Sequence, residues 1–163
     1  KELGEPGKDD QTPRKKEVPI EKLGGALVYA RDEGEIFVAL VHDVFGRWTL
    51  SKGHLEADED EVPGVSRVVS EELGIMVRAE DHIGKNEYVA SHPEKGKIRK
   101  CVTYYVAKAE HEDLKLAETG GLDDAKWFKL KDILDLNFYN DILPIVTKGV
   151  NVLLGNNSSG KKD

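Results

Sequence analysis

An α/β fold, a mixed β-sheet flanked by helices, is what the sequence predicts, and three observations predict it. Apolar residues gather into strand-like runs, hairpin turns join several of these runs, and regular strand–helix–strand alternation is absent. Leu23 to Ala30 and Glu35 to Val41 read as two strands, joined by Arg31-Asp32-Glu33-Gly34, a turn of hairpin type. Arg47 to Leu50 is a short strand bearing Trp48. Glu61 to Leu73 reads as a helix, with Asp60 at the N-cap position and acidic residues in its first turn. Pro63 falls in that first turn, where a missing N–H costs little. Gly64 weakens the helix by about 1 kcal/mol relative to alanine, and Gly74 stops it. Two longer strands follow, Met76 to Ala90 with interruptions and Ile98 to Ala109. Ala125 to Phe128 is a last short strand, Leu130 to Leu134 a helical turn, and Asn140 to Leu154 a closing amphipathic helix.

The 163 residues are 39% hydrophobic and 34% charged, which predicts one globular domain with a single core. Residues 1–18 are dense in charge, with Leu3 and Val18 as their aliphatic side chains, and read as a disordered tail. The folded unit spans 19–154, and 155–163 form a second polar tail. No apolar run approaches the ~20 residues that cross a bilayer, so no membrane partner is expected. The lone cysteine, Cys101, excludes an internal disulfide and fits a reducing, cytoplasmic location. A formal charge of −7 argues against bulk nucleic-acid binding through the phosphate backbone. An acidic protein still binds a polyphosphate where a cation bridges the two. Nothing in the sequence indicates a protein partner.

The informative segment is Gly53 to Ile75, GHLEADEDEVPGVSRVVSEELGI. Residues three and four apart share a helix face, so Val62, Val65, Val69 and Leu73 predict a buried stripe. Positions 68, 71 and 72 cluster together. Adjacent Glu71-Glu72 near a helix C-terminus is electrostatically unfavourable, because the macrodipole there favours cations. Two readings follow: a solvated acidic face, or a pair that holds a divalent cation. Hard carboxylate oxygens suit Mg²⁺ or Mn²⁺, which often bridge to substrate phosphates, and Glu59 just before the helix adds a further ligand.

The whole spacing resembles the signature of the Nudix hydrolases, G-x5-E-x7-R-E-U-x-E-E-x-G-U with U a bulky aliphatic residue. Gly53, Glu59, Arg67, Val69, Glu71, Glu72, Gly74 and Ile75 fall in register. Gly24-Gly25, the approach Arg47 to His54, and Trp127-Phe128 look similar too, so that the resemblance covers Pro19 to Leu154. It implies a Nudix α/β/α sandwich with a mixed β-sheet and metal-dependent hydrolysis of a phosphoanhydride. One signature position departs. Where the family has Glu directly after Arg, this chain has Val68. In the family that Glu belongs to the carboxylates around the metal and in some members is the general base. Val68 sits one turn before Glu72 by helical geometry, so its substitution weakens the site and removes a base; Arg67, which in the family orients neighbouring carboxylates, is free to pair with Glu71.

The resemblance assigns Glu71 and Glu72 to a Mg²⁺ or Mn²⁺ ion, with Glu59 and the Gly53 carbonyl as further ligands. Lys52 is either a fixed positive charge beside phosphate or a solvated loop lysine. Some family members draw their base from a later loop, and here Glu118 is the candidate, ahead of Asp123 and Asp124. The approach Trp48-Thr49-Leu50-Ser51-Lys52-Gly53-His54-Leu55-Glu56 looks like that of dinucleoside polyphosphate hydrolases, W-x-x-P-K-G-H-x-E, with Ser51 in the proline's place. Lys97, Arg99 and Lys100 precede a strand as in that subgroup, where they would meet outer phosphates. Strand alternation sets 99 and 100 on opposite faces. Tyr88 or Tyr105 stacks on a base or is buried in the core. The five histidines lack zinc spacing, Cys101 reads as a packed thiol, and Ser66 and Ser70 lack a base. The leading expectation is a pyrophosphohydrolase acting on a small nucleotide, a dinucleoside polyphosphate by preference. The alternative is a Nudix fold weakened by Val68 that binds a nucleotide or a partner as a regulatory module.

Overall fold

The computed structural model describes residues 18–118 and 121–155; all but one residue of each expected tail lies outside them. The order of elements is β1 (Ile20–Asp32), β2 (Glu35–Asp43), β3 (Trp48–Thr49), β4 (Ser51–His54), α1 (Glu61–Leu73), β5 (Val77–His92), β6 (Gly96–Ala109), β7 (Leu122–Lys129), a 3-10 helix (Leu130–Asp135) and α2 (Leu143–Leu153). The strands form one sheet in the order β3-β2-β1-β6-β5, with β4 paired to β1 and β7 to β2. Glu33 and Gly34 both have positive φ, as a two-residue hairpin turn that follows the strands' own twist requires.

Successive side chains of a strand point to opposite faces, and β1 shows what each face buries. Ala26 and Val28 join Val65, Val68, Val69 and Leu73 of α1 in one core. Leu27, on the other face, lies against Gly149 of α2, which also meets Ile83. The sheet is therefore sandwiched between α1 and α2. Ser66 and Ser70 fasten α1 to β5: their hydroxyl oxygens accept the N–H groups of Ala79 and Val77, each at 2.9 Å.

Several expectations need correction. Val62 is 40% exposed, whereas Val68 is buried, so the apolar face of α1 is turned toward Val68 and Glu72. Asp60 occupies the N-cap position, but its side chain makes no capping bond. Beyond the expected short strand Arg47 to Leu50, Ser51–His54 is a strand too, because its backbone pairs with Leu23–Ala26. The closing helix starts at Leu143, with Pro144 in its first turn, rather than at Asn140. Cys101 is half-buried rather than packed away.

By contact, the described chain separates into two compact units: 18–21 with Glu87–Cys101, and Lys22–Asn86 with the described residues from Val102 onward. The first is the end of the β5–β6 hairpin, where Arg99 N–H donates to the Pro19 carbonyl at 2.8 Å and Lys100 pairs with Glu21 at 3.6 Å. The second carries the two helices and the loop before α1.

Close backbone approach in the second unit depends on glycine. A Cβ on Gly25 would lie 2.6 Å from the Tyr104 ring and 2.8 Å from the Ser51 carbonyl oxygen. The Ser51 oxygen belongs to a paired strand and cannot retreat alone. Gly25→Ala is therefore expected to cost about 1–3 kcal/mol by overpacking, read as a lower urea midpoint at unchanged m-value. An unchanged midpoint would contradict the close β1–β4 approach.

Candidate active site

Arg67 organises the loop before α1. Its Nε donates to Glu59 Oε2 at 2.6 Å and its Nη2 to Glu59 Oε1 at 2.9 Å, a two-pronged pairing that suits a planar guanidinium. Its other bonds reach Glu71 Oε1 at 3.1 Å and the His54 carbonyl at 3.2 Å. Glu59 also accepts the Glu56 N–H at 2.9 Å, so residues 54–59 are folded back onto the helix. The expected Arg67–Glu71 pair is present, and Glu59 is the stronger partner.

The hydrogen bonds from Arg67 and then Glu56 hold the Glu59 carboxyl down to about 2. Because its folded value is depressed, its stabilising contribution is present above the ordinary carboxylate value near ~4.3 and is lost as pH falls toward the folded one. Arg67→Ala should return the Glu59 carboxyl to the ordinary range, followed by carbon-detected NMR titration. A value still near the lower one would show that Arg67 is not what lowers it.

Glu72 is the buried acid of the site. Its Oε1 accepts the Ser51 hydroxyl at 2.7 Å and the Lys52 N–H at 3.2 Å. Burial pushes its carboxyl above the usual carboxylate value, opposed by the Ser51 and Lys52 hydrogen bonds and by the Lys52 charge. Ser51 is itself fully buried, and sequence reasoning treated it only as a departure from proline. With no exposed surface the hydroxyl needs a polar partner, and Glu72 of α1 supplies it, a pairing that only the fold reveals.

Val68 lies on the same helix face, one turn before Glu72, with 5% of its surface exposed. A Cβ on Gly53 would come within 2.9 Å of Val68 Cβ, so the strand carrying Gly53 rests directly on the valine. The side chain at position 68 thus fills a closed contact beside the Gly53 backbone.

The other candidates fall as follows. Glu71 is exposed and tied to Arg67. Lys52 is half-buried on β4, opposite Gly25. Glu118 is exposed and directly follows Ala117, whose N–H donates to the Glu72 carbonyl at 2.8 Å. Asp123 is engaged by His42 Nδ1 at 2.7 Å, and Asp124 by the Ala125 N–H at 2.8 Å. Tyr105 is buried, with its hydroxyl bonded to Glu61 and its acidity weakened to about 12 by burial and that bond. Tyr88 is half-buried and belongs, with Lys97, Arg99 and Lys100, to the hairpin unit.

Among the described residues, no three His, Cys, Asp or Glu side chains gather into a ligating cluster. Mg²⁺ does not demand one: it commonly takes one or two carboxylates and fills its remaining positions with water and substrate phosphate. A desolvated carboxylate at Glu72 with Glu71 beside it on the helix fits that hard-oxygen donor set. Gly53 adjoins Lys52, whose N–H donates to Glu72, and pairs with Gly24 of β1. Glu59, already held by Arg67, braces the loop.

A model of the NUDIX domain matches residues 22–148. No curated protein sequence matches the chain significantly. Among solved structures, the C. elegans Ap4A hydrolase in a binary complex is 24% identical with a TM-score of 0.64, covering 83% of this chain and 98% of that one. The NUDIX domain of Shewanella oneidensis NrtR, complexed with ADP ribose, is 17% identical with a TM-score of 0.63, covering 87% and 94%. A MutT protein from Methanosarcina mazei is 23% identical with a TM-score of 0.59, covering 85% and 97%. At these identities the likeness is one of fold.

Proposed function

The chain belongs to the Nudix family, and on that premise we propose that it hydrolyses a phosphoanhydride bond in a nucleoside diphosphate derivative, with a dinucleoside polyphosphate as the favoured substrate. The observation that carries this reading is Glu72, a carboxylate kept buried by Ser51 and Lys52 at the end of an acidic helix. Burying an anion is costly unless a cation comes to it. Mg²⁺ or Mn²⁺ held by Glu71 and Glu72, with the Gly53 carbonyl alongside, would neutralise phosphoryl oxygens when bound. Lys52 adds fixed positive charge beside that carboxylate. Arg67 holds Glu59 and Glu71 in place. Glu118, next to the residue bonded to Glu72, is the acid we assign to activating water, since Val68 removes one from the helix. Its rivals Asp123 and Asp124 have other partners.

Two features favour a dinucleoside polyphosphate. The stretch from Trp48 to Glu56 resembles that subgroup, and the C. elegans structure of similar fold is an Ap4A hydrolase. Arg99, Lys100 and Tyr88 are the hairpin residues assigned to the outer phosphates and a base. One observation favours a second reading, a nucleotide-binding regulatory module: Val68 closes against Gly53 where the family carries a carboxylate. The NrtR domain, complexed with ADP ribose, has a similar fold.

Incubation with Mg²⁺ or Mn²⁺ and a panel of dinucleoside polyphosphates, nucleotide sugars and nucleoside triphosphates, with chromatography of the products, tests the proposal. Cleavage of the first class at the highest kcat/KM is the expected result. Saturable binding without cleavage of any of them would replace the enzyme reading with the module.

A further inference from the structure

Residues 110–118, which follow β6, are held along their length, and we propose that the aromatic clasp around His111 near their start is a positioning device for Glu118. The inference rests on the reading of Glu118 as the water-activating acid. Residues 110–118 contain no helix or strand, and a connection of that kind is ordinarily the most mobile part of a domain. Here it is tied down like a strap.

At the start, the His111 ring stacks on Phe37 with centroids 4.1 Å apart and planes 16° from parallel. The same ring meets Trp127 edge-on at 5.1 Å. Its Nδ1 contacts Asp32 Oδ2 at 2.7 Å, and Trp127 Nε1 donates to the Glu112 carbonyl at 2.7 Å. Along the middle, Leu114 and Leu116 pack half-buried on the core that α1 also faces. At the far end, the N–H groups of Lys115 and Ala117 donate to the carbonyls of Leu73 and Glu72, each at 2.8 Å. The chain runs there beside the helix terminus as a strand would, alternate N–H groups pointing one way. Gly74 makes the fit possible: it has φ +71°, and a Cβ there would lie 2.7 Å from the Lys115 carbonyl oxygen.

The helix has no basic residue in its last turn, so the strap supplies the donors for its orphaned carbonyls. In doing so it fixes Glu118 one residue from a bond to Glu72. The clasp itself is remote from the carboxylates. Asp32 lies about 20 Å along β1 from Ala26 at ~3.3 Å per residue, and Ala26 is the residue paired with Ser51. His111 therefore acts through the strap. Without the clasp, the end near Glu72 keeps its two backbone hydrogen bonds and the half-buried Leu114 and Leu116, but it loses the anchor at its start, and the placement of Glu118 loosens with it.

Amide hydrogen exchange and steady-state kinetics on the full chain, with diadenosine tetraphosphate and Mg²⁺, test this. In His111→Ala, exchange at the Ala117 N–H should quicken, and kcat should fall about 10–100-fold by misalignment with KM and Mg²⁺ affinity within about twofold. Glu118→Gln combined with His111→Ala should be no slower than Glu118→Gln alone, since both remove the same contribution. Trp127→Phe keeps the ring contact and removes only the bond to Glu112; it should give a smaller fall in the same sense and carries the cycle should His111→Ala not fold. Unchanged Ala117 exchange, or two effects that multiply, would overturn the positioning role while leaving Glu118 as the base. A Glu118→Gln enzyme with undiminished kcat would remove the base reading and the clasp's purpose together.

Discussion

On the proposed hydrolase reading, Glu72→Gln is expected to abolish turnover while leaving the fold as stable as before or more so. Both halves of that expectation come from the same burial. The amide oxygen of glutamine can still accept from the Ser51 hydroxyl and the Lys52 N–H, which hold the carboxylate at 2.7 and 3.2 Å. What disappears is the charge. Burial raises the Glu72 carboxyl above the ordinary carboxylate value, so this group's own contribution to stability is fully present below that ordinary value and is lost as pH rises through the folded one, opposite in sign to that of Glu59. Wherever it is ionised, the buried side chain is a cost to the folded state in the absence of a cation, and glutamine removes it. A cation that binds only the folded protein should raise the melting temperature of the native chain, and this rise should vanish in the variant. The loss of rate should exceed the ~10–100-fold typical of residues that merely orient metal ligands. The checks are kcat in Mg²⁺ and melting curves with and without Mg²⁺. Retained turnover would take Glu72 out of the chemistry; a strongly lowered melting point would mean that the charge supports the fold.

Why Glu72 and its loop were legible in the sequence, and Ser51 and the strap were not, is a matter of sequence distance. Arg67 and Glu71 are one helical turn apart, and any helix brings such a pair together. Glu59 precedes the helix by two residues, so its return to Arg67 is a local event. The Ser51–Glu72 bond joins β4 to α1 across a separation that no periodicity encodes. It needs the β1–β4 register, in which Ser51 faces Ala26. The strap has no periodicity at all; its order comes from an imidazole stacked on a strand residue and from two N–H groups that meet the end of a helix. Even α1 was only half legible. Its valines at 62, 65, 68 and 69 fit two overlapping apolar faces, and the choice of the one with Val68 follows from the strand carrying Gly53 above it.

That choice decides what a carboxylate at position 68 should do. Val68→Glu places a carboxylate in a contact where the valine is 5% exposed and a Cβ on the facing Gly53 would lie only 2.9 Å from it. The new charge sits one turn from Glu72, itself buried, and like charges at that spacing repel. Without a divalent ion the variant should lose on the order of 3–5 kcal/mol, as an uncompensated buried charge does. With Mg²⁺ much of the loss should return, because two desolvated carboxylates now share one cation and the folded state alone binds it. Divalent-cation affinity should tighten, and if the native chain is a weakened enzyme its rate should rise. Val68→Gln has nearly the same shape without the charge; its stability should respond to Mg²⁺ no more than that of the native chain. Urea midpoints of the three proteins with and without Mg²⁺, beside cation calorimetry, separate the cases. Equal destabilisation of Val68→Glu in both conditions would mean that position 68 faces packed backbone and no cation site. The side chain at position 68 would then serve core packing alone, and water activation would have to come from a residue outside α1.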